Sequence, residues 1–350
     1  MMVNNTIILE DLQNIIAADL PWQNLYGKTI LVTGANGFLP AYMVQALLLL
    51  NKKNVNHKIK IIGLVRNIEK AKKRFDAYSD SGNFSLVSAD ISKPIQIDEK
   101  IDFIIHAASQ ASPKYYGTDP VGTLSANTIG TFHLLNLAVE NSVEKFLYFS
   151  SSEVYGAVSN IDSIGESSYG VLDPTQVRSC YAESKRMGET MCVSFAAQYK
   201  VPVSIARPFH TYGPGLSLDD GRVFADFVSN IVRGEDIMMN SDGGAIRSFC
   251  YLADATIGFF TVLLKGENSM AYNVGNPGGT VSIKELAKLL VNLYPQKKLK
   301  AVFKDPDSAT YLRSNLSRLC PDIDKIRVLG WQPVTNLEEG FKRTIDSFIV

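Results

Sequence analysis

A short run of β-forming residues at 28–33 (KTILVT) stops at Gly34, and helical sequence begins a few residues later, at Phe38. The loop between them contains a second glycine, Gly37. Glycine permits a tight turn after a strand, and its missing Cβ lets the backbone approach a pyrophosphate. The first turn of the helix presents free N–H groups and the positive end of the helix dipole to that anion. The pattern predicts a dinucleotide-binding turn within a βαβ unit.

Short β-rich runs and helical stretches alternate after this loop. Further runs that are typical of strands lie at 59–65, 84–88, 103–106, 146–150 and 203–207. Helical stretches lie at 38–50, 68–78, 121–140 and 181–199. Strands separated by helices predict a parallel sheet, so we expect an α/β fold, a Rossmann-type doubly wound sheet with a smaller mixed C-terminal region.

The two ends of the chain differ from this alternating part. Apolar residues at helical spacing over 8–20 predict an amphipathic helix, which Trp22 is placed to pin against the main fold. After Pro208 the pattern loosens into a loop region rich in proline and glycine. We therefore predict an N-terminal helical extension (1–26), a dinucleotide-binding domain (27–207, completed by 247–275) and a substrate-binding region (208–246 and 276–350).

Charge and composition exclude several classes of protein. Lys+Arg and Asp+Glu both number 35, so the chain has no general basic field to hold nucleic acid or an anionic membrane. The four cysteines form no CxxC pair, which leaves a metal site without sequence support and suits a reducing compartment. The N-terminus lacks the features of a signal peptide, and every apolar run is too short to span a bilayer. We therefore expect a cytoplasmic protein.

A tyrosine and a lysine, Tyr181 and Lys185, share one face of the predicted helix at 181–199 because they are four residues apart. A nearby ammonium favours the phenolate of tyrosine, so the pair can act as a general base toward a hydroxyl group. The alternative is a buried tyrosine beside a surface lysine. Ser151, which follows a predicted strand, can hydrogen-bond the reacting hydroxyl and favours the catalytic interpretation.

Three residues near the glycine loop and the strand ends bear on the cofactor. Arg66 ends the second strand, where an acidic residue would bind the ribose of NAD, and it favours NADP through a 2′-phosphate. A solvated arginine is the alternative. Asp90 follows the third strand and is placed to meet the adenine amino group, unless it is a plain turn residue. Pro40 stands where a third glycine is expected; a proline is tolerated in a first helical turn, whose N–H has no intrahelical acceptor, and the alternative is that its bulkier ring pushes the helix away from the strand.

These motifs follow one order along the chain. They are TGxxGF in the first loop, HAAS at 106–109, Asn127, SSSEVYG at 150–156, YxxxK at 181–185, RPFHTYGP at 207–214 and RSF at 247–249. With them, the chain resembles the extended short-chain dehydrogenase/reductase family over roughly 27–333, and within it the nucleotide-sugar epimerases, dehydratases and decarboxylases. The resemblance implies NAD or NADP as cofactor, a nucleotide-diphosphate sugar as substrate, and a homodimer formed through the helices at 121–140 and 181–199.

The resemblance also implies roles for individual residues. The implied cofactor-binding residues are Gly34, Asn36, Gly37, Phe38, Arg66, Asp90, Ile91, Ala107, Ala108, Asn127, Tyr181 and Lys185. The implied catalytic residues are Ser151, Glu153, Tyr181 and Lys185. The implied substrate-binding residues are Ser109, Ser152, His210, Arg222, Val223 and Arg247. Among these, Arg247 would bind the substrate diphosphate through its bidentate guanidinium.

The reaction implied is proton removal by Tyr181 as hydride leaves C4, which gives a 4-keto sugar. Glu153 resembles the carboxylate of dehydratases and uronate decarboxylases and would take the C5 proton, unless it is a structural carboxylate. Many dehydratases carry Asp at the position of Ser152, although some resemble this chain in having Ser.

The sequence at 219–223 and 320–323 is most similar to that of UDP-glucuronate decarboxylases. Gly215 and Leu319 stand where those enzymes have arginines, which leaves a uronate carboxylate without a cation. We therefore expect a redox-neutral dehydratase or epimerase. The alternatives are an NADPH-dependent 4-keto-sugar reductase, a UDP-uronate decarboxylase and a non-catalytic Rossmann binding protein.

Overall fold

The computed structural model describes residues 5–54, 56–79, 81–158, 162–239, 241–303 and 318–349. Its strands are β1 (Thr29–Thr33), β2 (Lys60–Val65), β3 (Phe84–Ser88), β4 (Phe103–His106), β5 (Lys145–Phe149), β6 (Val203–Pro208), β7 (His210–Tyr212), β8 (Ile237–Met239), β9 (Ile246–Tyr251), β10 (Met270–Val274), β11 (Thr280–Ser282), β12 (Ala301–Phe303) and β13 (Arg318–Leu319). Its α-helices are α1 (Thr6–Ala17), α2 (Phe38–Lys53), α3 (Ile68–Phe75), α4 (Pro113–Thr118), α5 (Pro120–Asn127), α6 (Ile129–Asn141), α7 (Cys180–Tyr199), α8 (Val223–Arg233), α9 (Leu252–Lys265), α10 (Ile283–Leu293), α11 (Asp324–Arg327) and α12 (Leu337–Ile349). Residues 1–4 of the predicted extension and 304–317 of the predicted substrate-binding region lie outside the described residues.

A seven-stranded parallel sheet forms the centre of the fold, in the order β3–β2–β1–β4–β5–β6–β10. Every residue of β4 and β5 is buried, as expected for strands with helices on both faces. The direction of the strand order reverses at β1, which pairs with both β2 and β4. A doubly wound sheet binds its ligand outside the carboxyl ends of the strands at such a switch point. The predicted α/β fold is confirmed.

Two smaller sheets lie beside the main one. β9 pairs with β7, β11 and β13, while β8 pairs with β12. β9 begins at Ile246 and is followed by α9, which packs on the main sheet, and by β10, which extends it. The second sheet therefore brings the β7 and β9 residues toward the end of the main sheet where the chain leaves β6.

Four helical stretches differ from their predicted bounds by more than one residue, and one of them is α2, which continues to Lys53. The stretch 121–140 is two helices, α5 and α6, which meet at Thr128. Thr128 Oγ1 donates to the Leu124 carbonyl and Thr131 Oγ1 donates to the Asn127 carbonyl, and such back-bonding bends helices. α1 ends at Ala17, before Pro21, and α3 ends at Phe75 in a short 3-10 turn.

The N-terminal helix is built into the fold. α1 packs on α2 and α9, and its buried Asp11 accepts hydrogen bonds from Tyr42 (3.2 Å), Tyr251 (2.7 Å) and Arg343 (2.7 Å). Trp22 packs edge-on against Phe260 at 4.9 Å between ring centroids, as its predicted pinning role requires. α1 thus links a helix of the main sheet to the end of β9.

None of the described helices is long and apolar enough to cross a bilayer. Within the same residues, no group of three or more His, Cys, Asp or Glu side chains is arranged to hold a metal ion.

Candidate active site

A cleft of about 610 Å³ opens at the carboxyl ends of the central strands. Its walls come from the loops that follow β1, β2, β3 and β4 and from α5. The predicted cofactor residues on these walls are Gly34, Asn36, Gly37, Arg66, Asp90, Ile91, Ala107 and Ala108, and the predicted substrate residue Ser109 lies with them. The cleft thus joins most of the predicted cofactor residues in one continuous groove.

The glycine loop has the geometry that a dinucleotide requires. Gly34 has a φ of +65°, and a Cβ there would lie 2.8 Å from the Ala108 Cα. Thr33 Oγ1 accepts hydrogen bonds from the backbone N–H groups of Ala107 (3.2 Å) and Ala108 (3.1 Å), which locks the two loops together. No side chain caps the N-terminus of α2 at Gly37, so its first N–H groups remain available to a pyrophosphate.

Pro40 lies in the first turn of α2 and does not interrupt the helix. It is buried, and its Cγ would be 3.3 Å from a Cβ placed on Gly37. α2 packs against β1 and β2, which agrees with the first alternative, a proline tolerated in the first helical turn. The reason is that a proline in the first turn removes an N–H that has no intrahelical acceptor.

The far end of the cleft carries more positive charge than sequence analysis found. Arg66, Asn67 and Lys70 line it together. Asn67 caps α3 by accepting from the Lys70 N–H at 2.8 Å, which brings Lys70 to the same wall as Arg66. Lys70 was missed because it becomes a neighbour of Arg66 only through this cap.

Asp90 faces the same end of the cleft but is also a turn residue. Its Oδ1 accepts from the backbone N–H (3.0 Å) and hydroxyl (2.8 Å) of Ser92. These hydrogen bonds lower the pKa of Asp90, and the charge of Arg66 contributes to the decrease. Asp90 is therefore held as a carboxylate at the cleft wall.

Tyr181 lies in the first turn of α7 and is buried. The pKa of Tyr181 is raised to about 12, mainly by burial; the Ser151 and Ser109 hydroxyls act to lower it and the Glu153 carboxylate acts to raise it. Ser151 Oγ also accepts from the Glu153 N–H at 3.2 Å, which fixes the start of the short turn that carries Glu153. The phenol, Ser151 and Ser109 thus share one polar cluster.

Lys185 lies one turn beyond Tyr181 and is 2% exposed. Its Nζ donates to the Phe149 carbonyl at 2.6 Å and lies 5.9 Å from the centroid of the Tyr181 ring. Burial lowers the pKa of Lys185 to about 7. The lysine is therefore neither a surface residue nor a permanent cation near neutral pH. The alternative of a buried tyrosine beside a surface lysine is thus wrong for the lysine.

Asn127 lies behind the cluster. It is fully buried, and its Nδ2 donates to Ser184 Oγ at 3.0 Å, which ties α5 to α7. His106 Nδ1 contacts Thr33 Oγ1 and His106 Nε2 contacts Thr131 Oγ1, both at 3.0 Å. Burial lowers the pKa of His106 well below its usual value, so this bridge is made by a neutral imidazole. Phe38 opens α2 and packs against the core.

Glu153 is ion-paired rather than free. Both of its carboxylate oxygens lie 3.1 Å from Nη2 of Arg178. The Arg178 guanidinium lies 4.9 Å from the centroid of the Tyr116 ring, and Tyr116 in turn stacks on Tyr181 at 5.1 Å and 18°. Sequence analysis missed Arg178 and Tyr116. The position of Arg178, three residues before Tyr181 at the entry to α7, was the available signal.

The predicted substrate residues come from three other segments. Arg222 directly precedes α8 and pairs with Asp220, and Val223 is the first residue of that helix. His210 lies on β7 and Arg247 on β9, where their strands are paired. The pKa of His210 is lowered to about 3, mainly by burial and also by the charges of Arg247 and Arg222. His210 Nδ1 is buried and has no hydrogen-bond partner within the described residues.

Positions 215 and 319, where decarboxylases have arginines, carry no charged side chain in this chain. Leu319 is 2% exposed and packs in a cluster with Val154 and Tyr155, directly behind the turn that carries Glu153. Ser152 is buried in the same turn. The Gly215 carbonyl accepts from Nη2 of Arg74, a residue of α3. No charge at 215 or 319 reaches the cluster around Tyr181.

Known proteins resemble the chain over most of its length. A model of the NAD dependent epimerase/dehydratase family matches residues 30–275. UDP-glucuronic acid decarboxylase 5 of Arabidopsis thaliana is 35% identical over 322 residues, which cover 91% of this chain and 89% of that protein.

Solved structures share the fold. The UDP-glucuronic acid 4-epimerase of Bacillus cereus, in complex with UDP-glucuronic acid and NAD, superposes with a TM-score of 0.77 at 23% identity, covering 92% of this chain and 99% of its own. An epimerase from Methanothermobacter thermautotrophicus superposes with a TM-score of 0.79 at 22% identity, over 99% and 96% of the two chains. At these identities the likeness concerns the fold alone.

Proposed function

This chain belongs to the NAD-dependent epimerase/dehydratase family, and we propose that it acts on a nucleotide-diphosphate sugar through a 4-keto intermediate, without net consumption of cofactor. The observation that carries the proposal is the cluster of Tyr181, Ser151 and Lys185 at the switch-point end of the sheet. The favoured reaction is dehydration or epimerisation.

The chemistry follows from the environment of the cluster. When bound, an oxidised nicotinamide supplies the acceptor for the C4 hydride. Tyr181 would take the proton of the C4 hydroxyl, and Ser151 would hold the reacting oxygen by a hydrogen bond. Since Lys185 has a pKa of about 7, it can gain or lose a proton near neutral pH and so support proton transfer at the phenol.

The glycine loop and the cleft fit the cofactor on structural grounds. Gly34 leaves no space for a side chain, Gly37 opens an uncapped helix, and the groove continues to the strand ends. Arg66 and Lys70 supply two positive charges where an adenosine 2′-phosphate would lie, so we expect NADP to bind more tightly than NAD.

Glu153 is assigned the second step, removal of the proton at C5 of the 4-keto sugar. Its ion pair with Arg178 holds the carboxylate in one orientation beside the Tyr116–Tyr181 stack. A Glu153→Gln variant should form the 4-keto sugar but fail to exchange the C5 proton with deuterated water. Unchanged turnover and exchange would remove this assignment.

A second candidate is decarboxylation of a UDP-uronate. The observation that favours it is the 35% identity to a UDP-glucuronic acid decarboxylase over 91% of the chain. Leu319 and Gly215 weigh against it because they bring no cation to the site.

We also expect a homodimer. The helices α5, α6 and α7 expose apolar side chains, which are Leu124, Ile129, Phe132, Met187, Val193 and Tyr199. Exposed apolar surface of this kind marks association sites. Light scattering at micromolar concentration should give twice the chain mass, and a monomeric mass would contradict the dimer.

The function is tested by mass spectrometry of the products. Purified protein is incubated with UDP-, dTDP-, GDP- and CDP-sugars and oxidised cofactor, without NADPH. Loss of water identifies a dehydratase, loss of carbon dioxide from a uronate identifies a decarboxylase, and a new isomer by NMR identifies an epimerase. Conversion that requires stoichiometric NADPH would contradict the redox-neutral proposal.

A further inference from the structure

We propose that Glu189 is a positioning residue for the reaction, and that it acts through two neighbours, the hydroxyl of Ser150 and the ammonium of Lys185. This inference rests on the proposed function and adds a residue to it. On α7, the residues Tyr181, Lys185 and Glu189 follow one another at intervals of four and share one face of the helix. Glu189 lines a separate cavity of about 580 Å³ and not the cofactor cleft, so its influence on the reaction passes through other residues.

The first neighbour is Ser150, which directly precedes Ser151. The Ser150 hydroxyl donates to Glu189 Oε1, and Ser150 is 3% exposed. Lys185 Nζ donates to the carbonyl of the preceding residue, Phe149, at 2.6 Å. α7 therefore binds the end of β5 through two of its side chains, and the bond made by Glu189 is the nearer of the two to Ser151 along the chain.

Arg207 of β6 holds the Glu189 carboxylate in one orientation. Arg207 Nε donates to Oε1 at 2.8 Å and Nη2 donates to Oε2 at 2.6 Å, which makes a bidentate pair. The Arg207 side chain is 5% exposed, and its Nη1 donates to the Tyr155 hydroxyl at 3.0 Å and to the Glu166 carbonyl at 2.9 Å. With three donors on its two oxygens, the carboxylate is a fixed point between β5, β6 and α7.

The second neighbour is Lys185, one helical turn before Glu189. Burial lowers the pKa of Lys185 to about 7, and negative charge at Cys192 and at Glu189 acts to raise it. Burial also raises the pKa of the Cys192 thiol well above its usual value, so this thiol is uncharged near neutral pH. The carboxylate of Glu189 therefore supplies the negative charge that favours a protonated Lys185.

The other titratable groups around Lys185 carry no charge near neutral pH, because burial raises the pKa of the tyrosines and lowers that of the histidine. They are Tyr181 on α7, Tyr148 on β5 and His106 on β4. Among the residues that the structure describes, Glu189 is thus the charged group that sets how readily Lys185 holds its proton. Replacing it with a neutral residue leaves the Arg207 guanidinium uncompensated, which favours the neutral lysine still more.

The charge is tested by an NMR titration of protein that carries isotope-labelled lysine, with the Lys185 signal assigned from its absence in Lys185→Met. In Glu189→Gln, whose amide oxygen can still accept from Ser150, the midpoint of the Lys185 titration should move to lower pH by about one unit, the lower end of the effect of a neighbouring opposite charge. A carboxylate that only stabilises the fold would lower the thermal midpoint without moving this titration. An unchanged titration midpoint in Glu189→Gln would overturn the inference.

Glu183→Gln is the matched control for the charge. Glu183 lies on the same helix and pairs with Arg186 at 3.4 Å, and its charge does not act on Lys185. This variant should leave the midpoint of the Lys185 titration at the wild-type value.

The position is tested by Ser150→Ala, which removes the link to Glu189 but leaves the pair of Glu189 and Arg207 intact, so it remains informative if Glu189→Gln does not fold. Turnover of the nucleotide sugar that the protein converts should fall by about tenfold or more, since a misplacement of about 1 Å can cost about 10²-fold. The Lys185 titration should stay at the wild-type value. Wild-type turnover in Ser150→Ala would overturn the inference, whereas a wild-type protein that converts no nucleotide sugar would contradict the proposed function and leave the NMR test of Glu189, which needs no substrate, in force.

Discussion

The cofactor cleft and the sugar-binding side of the site are built in different ways. The cleft is formed where consecutive strands end, and its central feature, the loop from Gly34 to Gly37, lies in one short segment. The sugar side gathers Tyr116, Glu153 and Arg178 from three separate segments, none of which is a strand of the main sheet. A change in the cleft should therefore act through the backbone, and a change on the sugar side through individual side chains.

The two regions are also stabilised by different interactions. Backbone conformation and close approach hold the cleft together, as the φ of Gly34 and its contact with Ala108 show. Charge pairing, ring stacking and shifted pKa values dominate around Tyr181. We expect cleft variants to lose stability and cofactor affinity together, and sugar-side variants to lose turnover while the fold remains intact.

The largest expected effect is on the sugar side. Tyr181→Phe removes the hydroxyl that exchanges the proton but keeps the ring that stacks on Tyr116. Turnover should fall by about 10²–10⁴-fold, the usual contribution of a positioned acid or base, without a change in the thermal midpoint of more than a few degrees. Tyr26→Phe, in the turn before β1 and outside this cluster, is the control and should retain full turnover. Turnover of Tyr181→Phe within a few-fold of wild type would contradict the catalytic assignment.

The next effect is on the cleft. Gly34→Ala forces a side chain into a φ of +65° and against the Ala108 backbone, so the free energy of unfolding should fall by about 1–3 kcal/mol. Cofactor affinity should fall with it, measured by fluorescence titration. Gly82→Ala, where no atom lies within 4 Å of the added Cβ, serves as the control for loss of glycine flexibility. If Gly34→Ala bound cofactor normally, the loop would not act as proposed.

A smaller effect concerns pH and the second sheet. Burial lowers the pKa of His210 to about 3 in the folded chain, whereas the reference pKa of histidine is near 6.5. Between these two pH values the unfolded chain therefore binds a proton at this residue and the folded chain does not. The contribution of His210 to the free energy of unfolding is fully present above pH 6.5 and is lost as the pH falls toward 3. Relative to His210→Asn, the wild-type protein should lose about 1.4 kcal/mol of unfolding free energy per pH unit in this range. Parallel urea titrations of both proteins between pH 6 and pH 4 measure this difference, and equal slopes would show that His210 is not kept neutral.

The smallest effect is on cofactor choice. Arg66→Asp replaces a positive charge beside the cleft with an acceptor for ribose hydroxyls, while Lys70 remains in place. The preference for NADP over NAD should fall by about tenfold, the value of one exposed charge-assisted contact. Lys53→Asp at the end of α2, away from the cleft, controls for a general change in charge. A preference for NADP that survives Arg66→Asp would show that Lys70 or the backbone sets it.

The difference between the cofactor cleft and the sugar-binding side also explains which features could be predicted from the sequence. The strands, the glycine loop and the fold class were predictable because they depend on local periodicity and on turn chemistry that glycine alone satisfies. The break between α5 and α6 was not, because it depends on two threonine side chains that bond to backbone carbonyls. A run of helical residues looks continuous until those bonds are known.

Much of the sugar side lay beyond sequence reasoning for a physical reason. Glu153 was predicted as a base, but its pairing with Arg178 arises only when α7 meets the turn after β5. Tyr116 carries no chemical signal until it stacks on Tyr181. Lys185, in contrast, was identified from its spacing, although its burial and its lowered pKa needed the structure.

The measurement that decides most directly whether Tyr181 and the cofactor act at C4 uses a sugar nucleotide that the protein converts, labelled with deuterium at C4. Rapid quenching during the first turnover, followed by mass spectrometry, follows the deuterium. We predict that it appears transiently on the cofactor in the wild-type protein, that conversion slows by a primary isotope effect, and that Tyr181→Phe shows neither transfer nor conversion. Conversion in which the deuterium never leaves C4 would contradict a 4-keto intermediate and the function built on it.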